Sequence, residues 1–430
     1  MNKIAPTILQ GTRDFLPIEM AKRNLVMNKI KKAFEKFGYD PIETPVICPA
    51  ETILGKYGEE GERLTYNFET AGGRKIALPF DLTVPFARYV AANYRDLPIP
   101  FKRYQIQRVW RAERPQKGRL REFYQCDIDI IGTKSLVAEA EIAKIIVKVF
   151  KELGFKDFVI KFNSRRLINE ILKSLGISEE KTMDIIRIID KLVKIGREAV
   201  IQELNSISIS NAEEILEAFS PAESLNKTLE KLSNFDLKEI KEFLANCENL
   251  KVPTQYLEFD PSLARGLDYY TGLIFEVTSK DADFGTLCAG GRYDNLCSLF
   301  CDEDFSGVGV AFGFERIMLV LEQMKNLENV KLNSKALITI FDENSTSDSL
   351  NIYAELIDAG INCEIYFQPD KLKKQFQFAD KKRIPFVIIR GPDEIKDENV
   401  TIKLMESGKQ KTIPSKQLTT YLSEYYETEK

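Results

Sequence analysis

Two strand-like stretches, RYQIQRVWRAE (residues 103–113) and FYQCDIDIIG (residues 123–132), flank the loop RPQKGRLRE (residues 114–122). They commit the middle of the chain to an antiparallel sheet. Alternate side chains of a strand share a face, so one face of the second stretch carries Phe123, Gln125, Asp127 and Asp129. Its other face carries Tyr124, Cys126, Ile128 and Ile130 and reads as core. On the first stretch Gln105, Gln107, Val109, Arg111 and Glu113 lie together. An antiparallel pair would set Arg111 and Glu113 beside Phe123 and Gln125. By pattern alone this polar face is either a solvated surface laced with salt bridges or a ligand platform. The loop holds Arg114, Lys117, Arg119 and Arg121 around Gly118, a density that suits phosphate binding or a plain solvated turn.

The remaining pattern predicts a multidomain chain, since 430 residues exceed one simple core. Leu25, Ile30, Phe34 and Phe37 predict a helix over residues 21–37, stopped at Gly38. Residues 175–250 carry helical periodicity with few aromatics, which predicts an all-helical insertion. GVGVAFGFERIMLVLEQM (residues 307–324) reads as a glycine-rich entry into a buried helix. After a linker at residues 326–333, KALITIF, INCEIYF and PFVIIRG alternate with helical segments and predict a separate α/β domain.

Several function classes drop out. No apolar run approaches the ~20 residues of a membrane span, and the N-terminus has no signal-peptide pattern. With seven scattered cysteines and no C-x-x-C pair, the expected location is cytoplasmic. Cys297 and Cys301 lack further ligands for zinc, so no protein-held metal is expected. GVGVAFG does not match G-x-G-x-x-G, and no Walker loop occurs, so ATP would have to bind on the antiparallel sheet. The chain contains no histidine. Its chemistry must run through carboxylates, tyrosines, arginines or the substrate's own groups. RGLDYYTGLIFEV (residues 265–277) clusters an arginine, an aspartate and two tyrosines ahead of an apolar run, either as a turn or as part of a site.

RVWRAERPQKGRLREFYQCDIDIIG and GVGVAFGFERIMLVLEQ resemble motifs 2 and 3 of class II aminoacyl-tRNA synthetases. LARGLDYYTGLIFEV and LCAGGRYDNL resemble the two signature stretches of the histidyl-tRNA synthetase family, and QGTRDFLP and PFDLTVPFARYVA fit it too. The resemblance spans the chain. It implies an α+β class II catalytic domain on an antiparallel sheet (residues 1–325, insertion about 175–250), then a smaller α/β anticodon-binding domain (residues 334–430). The implied activity is ATP-dependent formation of histidyl-adenylate and transfer of histidine to tRNA(His), with ATP and Mg2+ as the substrate complex.

The resemblance also implies a role for each matching residue. Arg111 and Arg265 would act on the α-phosphate and the reacting carboxylate. Arg111, Glu113, Arg119, Phe123 and Arg316 would hold ATP. Asp81, Thr83, Arg111, Gln125 and Arg265 would bind the backbone end of histidine. Asp129 and Tyr270 would recognise the imidazole, with Tyr269 and Tyr293 lining the pocket. Arg114 and Gln116 would meet the tRNA acceptor end. The cluster Lys371, Lys373, Lys374, Lys381, Lys382 and Arg383 would touch tRNA backbone. Motif 1, matched by the 21–37 helix and the strand after it, implies a homodimer. Asp81 and Asp129 are shorter than the glutamates of many bacterial members, and PFDLTVPFARY and FYQCDID look more like the archaeal and eukaryotic-type branch. A regulatory subunit of ATP phosphoribosyltransferase shares this ancestry and binds histidine without charging tRNA. Such subunits typically lack the C-terminal domain and lose catalytic arginines, whereas Arg111, Arg265 and Arg316 are present here.

Overall fold

The computed structural model describes residues 3–264 and 269–427. The chain forms two compact units, one reaching to Glu328 and one built on Asn329 onward, with Phe15–Lys22 grouped with the second. The large unit is organised on an eight-stranded sheet. Its strands are β1 (Asp40–Pro41), β2 (Phe101–Trp110), β3 (Glu122–Ile131), β4 (Phe158–Ser164), β5 (Leu257–Phe259), β6 (Leu273–Ser279), β7 (Cys288–Tyr293) and β8 (Gly307–Gly313). Their spatial order is β1-β2-β3-β8-β7-β6-β4-β5. The pairs from β2 through to β4 are antiparallel, and the two outermost, β1–β2 and β4–β5, are parallel.

The expected hairpin is β2–β3. Its register runs from Phe101 opposite Ile131 to Trp110 opposite Glu122. Its loop is closed by Arg111 N–H donating to Arg121 O at 3.0 Å and by reciprocal backbone bonds of Gln116 and Arg119. Gly118 takes φ +77°, a left-handed turn position that a glycine fills without strain. Cys126, Ile128 and Ile130 are buried as core. The other face is also buried: Gln125, Asp127 and Asp129 are no more than 7% exposed, so this is not a solvated surface.

Helix α1 (Pro17–Lys36) begins four residues earlier than its periodicity predicts, with Pro17 as its first residue, where a missing N–H costs nothing. Its Phe34 ring packs on Tyr104 and Phe312. Helix α2 (Thr83–Asn93) leads towards β2. Helix α3 (Val137–Leu153) buries Ile142, Ile145, Ile146, Val149 and Phe150 along one stripe, and Phe150 meets Phe158 and Phe312. It ends at Gly154 in the left-handed conformation.

Seven helices lie between Arg165 and Asn249, joining β4 to β5. They bury apolar side chains of their own, among them Ile185, Ile189, Val200, Leu204, Ile215 and Phe219. The glycine-rich GVGVAFG is more than the entry to a helix. It is the whole of strand β8, and helix α4 (Phe314–Gln323) starts only after it. Val308, Val310 and Phe312 alternate into the core, which is strand periodicity masked by the glycines between them.

The second unit carries a five-stranded sheet of β9 (Ala336–Ile338), β10 (Cys363–Ile365), β11 (Phe386–Ile389), β12 (Asn399–Leu404) and β13 (Gln410–Pro414), in the order β10-β9-β11-β12-β13. The first three are parallel and the last two pairings antiparallel. Helices α5 (Thr346–Asp358), α6 (Leu372–Lys382) and α7 (Leu418–Glu427) complete it. No helix among the described residues is long and apolar enough to cross a membrane.

Candidate active site

The polar face of β2–β3, flanked by β8 and roofed by the chain before α2, gathers most of the expected residues. Cross-strand pairing sets Arg103 opposite Asp129, Gln105 opposite Asp127 and Gln107 opposite Gln125. On the far side of β3, Gly309 faces Asp129 and Ala311 faces Asp127.

Asp129 is 2% exposed and both its oxygens are engaged. Arg103 Nη2 lies 2.6 Å from Oδ2, and the Tyr293 hydroxyl donates to Oδ1 at 2.7 Å. Burial raises its carboxyl above the usual range, opposed by Arg103 and the Tyr293 hydrogen bond. Arg103 is fully buried, with its guanidinium 4.4 Å from the Phe86 ring centroid. Arg103 is not among the expected site residues. It sits two residues before Gln105 on the same face, so the period-two rule that selects Gln105 also reaches it.

Asp81 stands just before α2. Its Oδ1 accepts from the Thr83 and Val84 backbone N–H groups at 3.2 and 3.1 Å, holding the start of the helix. The same oxygen accepts from the Tyr57 hydroxyl at 2.8 Å, and Oδ2 from the Tyr269 hydroxyl at 3.3 Å. Burial pushes the phenols of Tyr57, Tyr269 and Tyr293 well up, so they remain donors to these carboxylates. Tyr57 is a further residue that the motifs miss: GKYGEE carries no periodic signal tying it to Asp81. Tyr269 packs edge-on against Tyr270 and Tyr293, with centroids 4.9 and 6.1 Å apart. Gln125 is buried, and its Oε1 has no hydrogen-bond partner among the described residues.

The glycines of β8 explain how these side chains fit. A Cβ on Gly309 would stand 2.0 Å from Asp129 Oδ1, and one on Gly307 would stand 2.4 Å from the Tyr293 ring. Gly309→Ala therefore expels Asp129 from its place between Arg103 and Tyr293. Overpacking of this kind costs about 1–3 kcal/mol. The expected result is a lower melting temperature and a KM rise for the amino acid larger than that for the nucleotide.

Towards the hairpin loop the chemistry changes from carboxylates to cations. Arg111 donates through Nε to Phe80 O at 3.0 Å. Its guanidinium lies over the rings of Phe80 and Phe123, 4.3 and 5.2 Å from their centroids. The outer guanidinium nitrogens have no hydrogen-bond partner among the described residues, which leaves a held fork for an anion. Glu113 and Arg119 pair at 3.4 Å. Arg316, at the start of α4, donates to Thr286 O at 2.8 Å. Arg114 and Gln116 are exposed on the loop. Arg265 lies outside the described residues. Among the described residues no group of three or more acidic or cysteine side chains is arranged to hold a metal ion.

Residues 11–317 match the profile of histidyl-tRNA synthetases, and residues 332–425 match that of an anticodon binding domain. The chain belongs to the histidyl-tRNA synthetase family. Members of this family use ATP to charge tRNA(His) with histidine through an adenylate. The histidine–tRNA ligase of Cytophaga hutchinsonii is 40% identical over 438 residues, covering 94% of this chain and 96% of that one. That of Bacteroides fragilis is 41% identical over 448 residues, covering 96% and 98%. A crystal structure of histidyl-tRNA synthetase from Nostoc superposes with a TM-score of 0.85 at 31% identity, covering 98% of this chain and all of that one. The α+β architecture and the separate C-terminal domain expected from the motifs are thus those of the family.

Proposed function

We propose that this chain forms histidyl-adenylate on the β2–β3 platform and passes histidine to tRNA(His). The observation that carries this reading is the juxtaposition of a held, unpartnered Arg111 fork with a buried acidic pocket on one sheet face. A carboxylate oxygen of histidine attacks the α-phosphorus of ATP in line. The new O–P bond replaces the bond to pyrophosphate, which leaves. The tRNA's terminal ribose hydroxyl then attacks the acyl carbon, its proton is lost, and AMP departs. The nucleophile of the first step is already ionised, so a chain without histidine loses nothing there. What the site must supply is position and positive charge.

In this reading Arg111 and Arg265 neutralise the α-phosphate and orient the carboxylate. Phe123 stacks on the adenine, Glu113 reads its edge, and Arg119 and Arg316 address the outer phosphates. Mg2+ enters with ATP as part of the substrate. Asp81, Thr83 and Gln125 hold the amino end of histidine, while Asp129, Tyr270, Tyr269 and Tyr293 shape the imidazole pocket. Because Arg103 and Tyr293 occupy the oxygens of Asp129, ring recognition involves sharing or exchanging one of those bonds. A site of buried polar groups discriminates by about 10⁴–10⁵ against side chains that leave them unpaired.

Residues 1–325 carry the catalysis and residues 334–430 the anticodon contacts, with Arg114 and Gln116 at the acceptor end and the Lys371–Arg383 cluster on tRNA backbone. The protein works in the cytoplasm as a homodimer. ATP–pyrophosphate exchange with each of the twenty amino acids tests the reading. Exchange with histidine alone is the expected result. Histidine binding without any exchange would replace it with a regulatory, non-charging role.

A further inference from the structure

Asp127 is the one buried acid of this face that has no assigned task. It is 2% exposed and sits between Gln125 and Asp129 on β3. Its hydrogen bonding is meagre: Gln125 Nε2 approaches Oδ1 at 3.5 Å, and no stronger bond is present among the described residues. Neither strand neighbour can help. Gln105, opposite on β2, commits its amide N–H groups to Thr44 Oγ1 at 2.9 Å and Gln107 Oε1 at 2.5 Å. Its carbonyl oxygen accepts from Arg103 at 3.4 Å. On β8 the partner is Ala311, which has no polar side-chain atom. Arg103 itself forms its close ion pair with Asp129.

The other two acids of the pocket are served. Asp81 accepts four hydrogen bonds and Asp129 has an arginine and a phenol. Two acceptors therefore remain without adequate donors: the Asp127 carboxylate and the neighbouring Gln125 Oε1. A buried carboxylate with no ion pair and one long hydrogen bond among the described residues is costly, and such a site calls for a ligand that brings both charge and several N–H donors.

We propose that Asp127 binds the α-ammonium group of the histidine substrate, sharing its three N–H donors with Gln125 Oε1. The proposal rests on the function argued above and adds a residue to the substrate-binding set. A neutral imidazole could donate one hydrogen bond here but would leave the charge uncompensated, whereas an ammonium meets both needs. Burial drives the Asp127 carboxyl well above its usual range; Arg103 and, more weakly, Arg111 oppose this, and Asp129 and Asp81 add to it. An incoming cation is the partner that reverses such a penalty.

Calorimetric titration of the full chain with two histidine analogues tests this. Histidinol keeps the ammonium and lacks the carboxylate; imidazolepropionate keeps the carboxylate and lacks the ammonium. Asp127→Asn is expected to weaken histidinol by roughly 10- to 100-fold, the range for a hydrogen bond to a charged group. Imidazolepropionate affinity should be little changed. An unaltered histidinol affinity, or an equal loss for both ligands, would overturn the proposal. If the Asn variant does not fold, Asp127→Ser is judged by the same ratio. Wild-type protein that neither binds histidinol nor supports exchange with histidine would instead refute the parent function.

Discussion

Arg111→Ala is expected to lower histidine-dependent pyrophosphate exchange by roughly 10²–10³, the usual loss when one preorganised donor to a developing anion is removed. The size of the effect follows from how the side chain is held. Nε is anchored on the Phe80 carbonyl and the guanidinium lies over the Phe80 and Phe123 rings, so little ordering remains when the phosphate arrives. Lysine cannot substitute, because a single ammonium reproduces neither the fork nor the stacking. Arg111→Lys should therefore stay close to Ala. The fold should tolerate both changes, since Arg111 is only half-buried and forms no ion pair in the described protein. An exchange rate close to wild type in the Ala variant would remove Arg111 from the chemistry.

Arg103→Met is expected to destabilise the large unit by about 3–5 kcal/mol, the cost of leaving one member of a buried pair alone. Methionine fills much of the volume against Phe86, so the loss is electrostatic. Among the described residues it leaves Asp129 with only Tyr293, and it removes the stronger of the two cationic influences on Asp127. Adding Asp129→Asn should restore much of the lost stability, because a neutral amide no longer needs the arginine. It should not restore histidine activation, because the pocket then lacks the carboxylate proposed to read the ring. Denaturant unfolding and pyrophosphate exchange on the two single variants and the double variant separate these effects. A double variant no more stable than Arg103→Met would mean that the pair is not what the arginine contributes.

Much of the site is legible in strand alternation alone. Arg111, Glu113, Phe123, Gln125 and Asp129 fall on one face by that rule. Trp110 opposite Glu122 is the register that a hairpin closed by residues 111–121 imposes. Arg103 is within reach of the same rule. By contrast, Tyr57, Asp81 and Tyr269 come from three separate segments, and no local period relates them. GVGVAFG reads as the entry to a helix because its glycines hide the strand period, and it is a strand all the same. Gly307 and Gly309 are there because Tyr293 and Asp129 occupy the space their side chains would need.

The sequence by itself determined the strand pairing at the centre of the chain, the helical stretch after it, the α/β character of the C-terminal part and the motif set of the family. These depend on periodicity and turn chemistry, which act between residues near in the chain. Only the tertiary structure decided the state of the polar face. Burial converts three aspartates that would be ordinary solvated carboxylates into groups competing for two arginines and a few phenols. The competition leaves Asp129 and Asp81 satisfied and Asp127 without an ion pair among the described residues. It arises from the low dielectric of the packed interior and from which distant donors reach which oxygen, and neither is encoded in any local stretch.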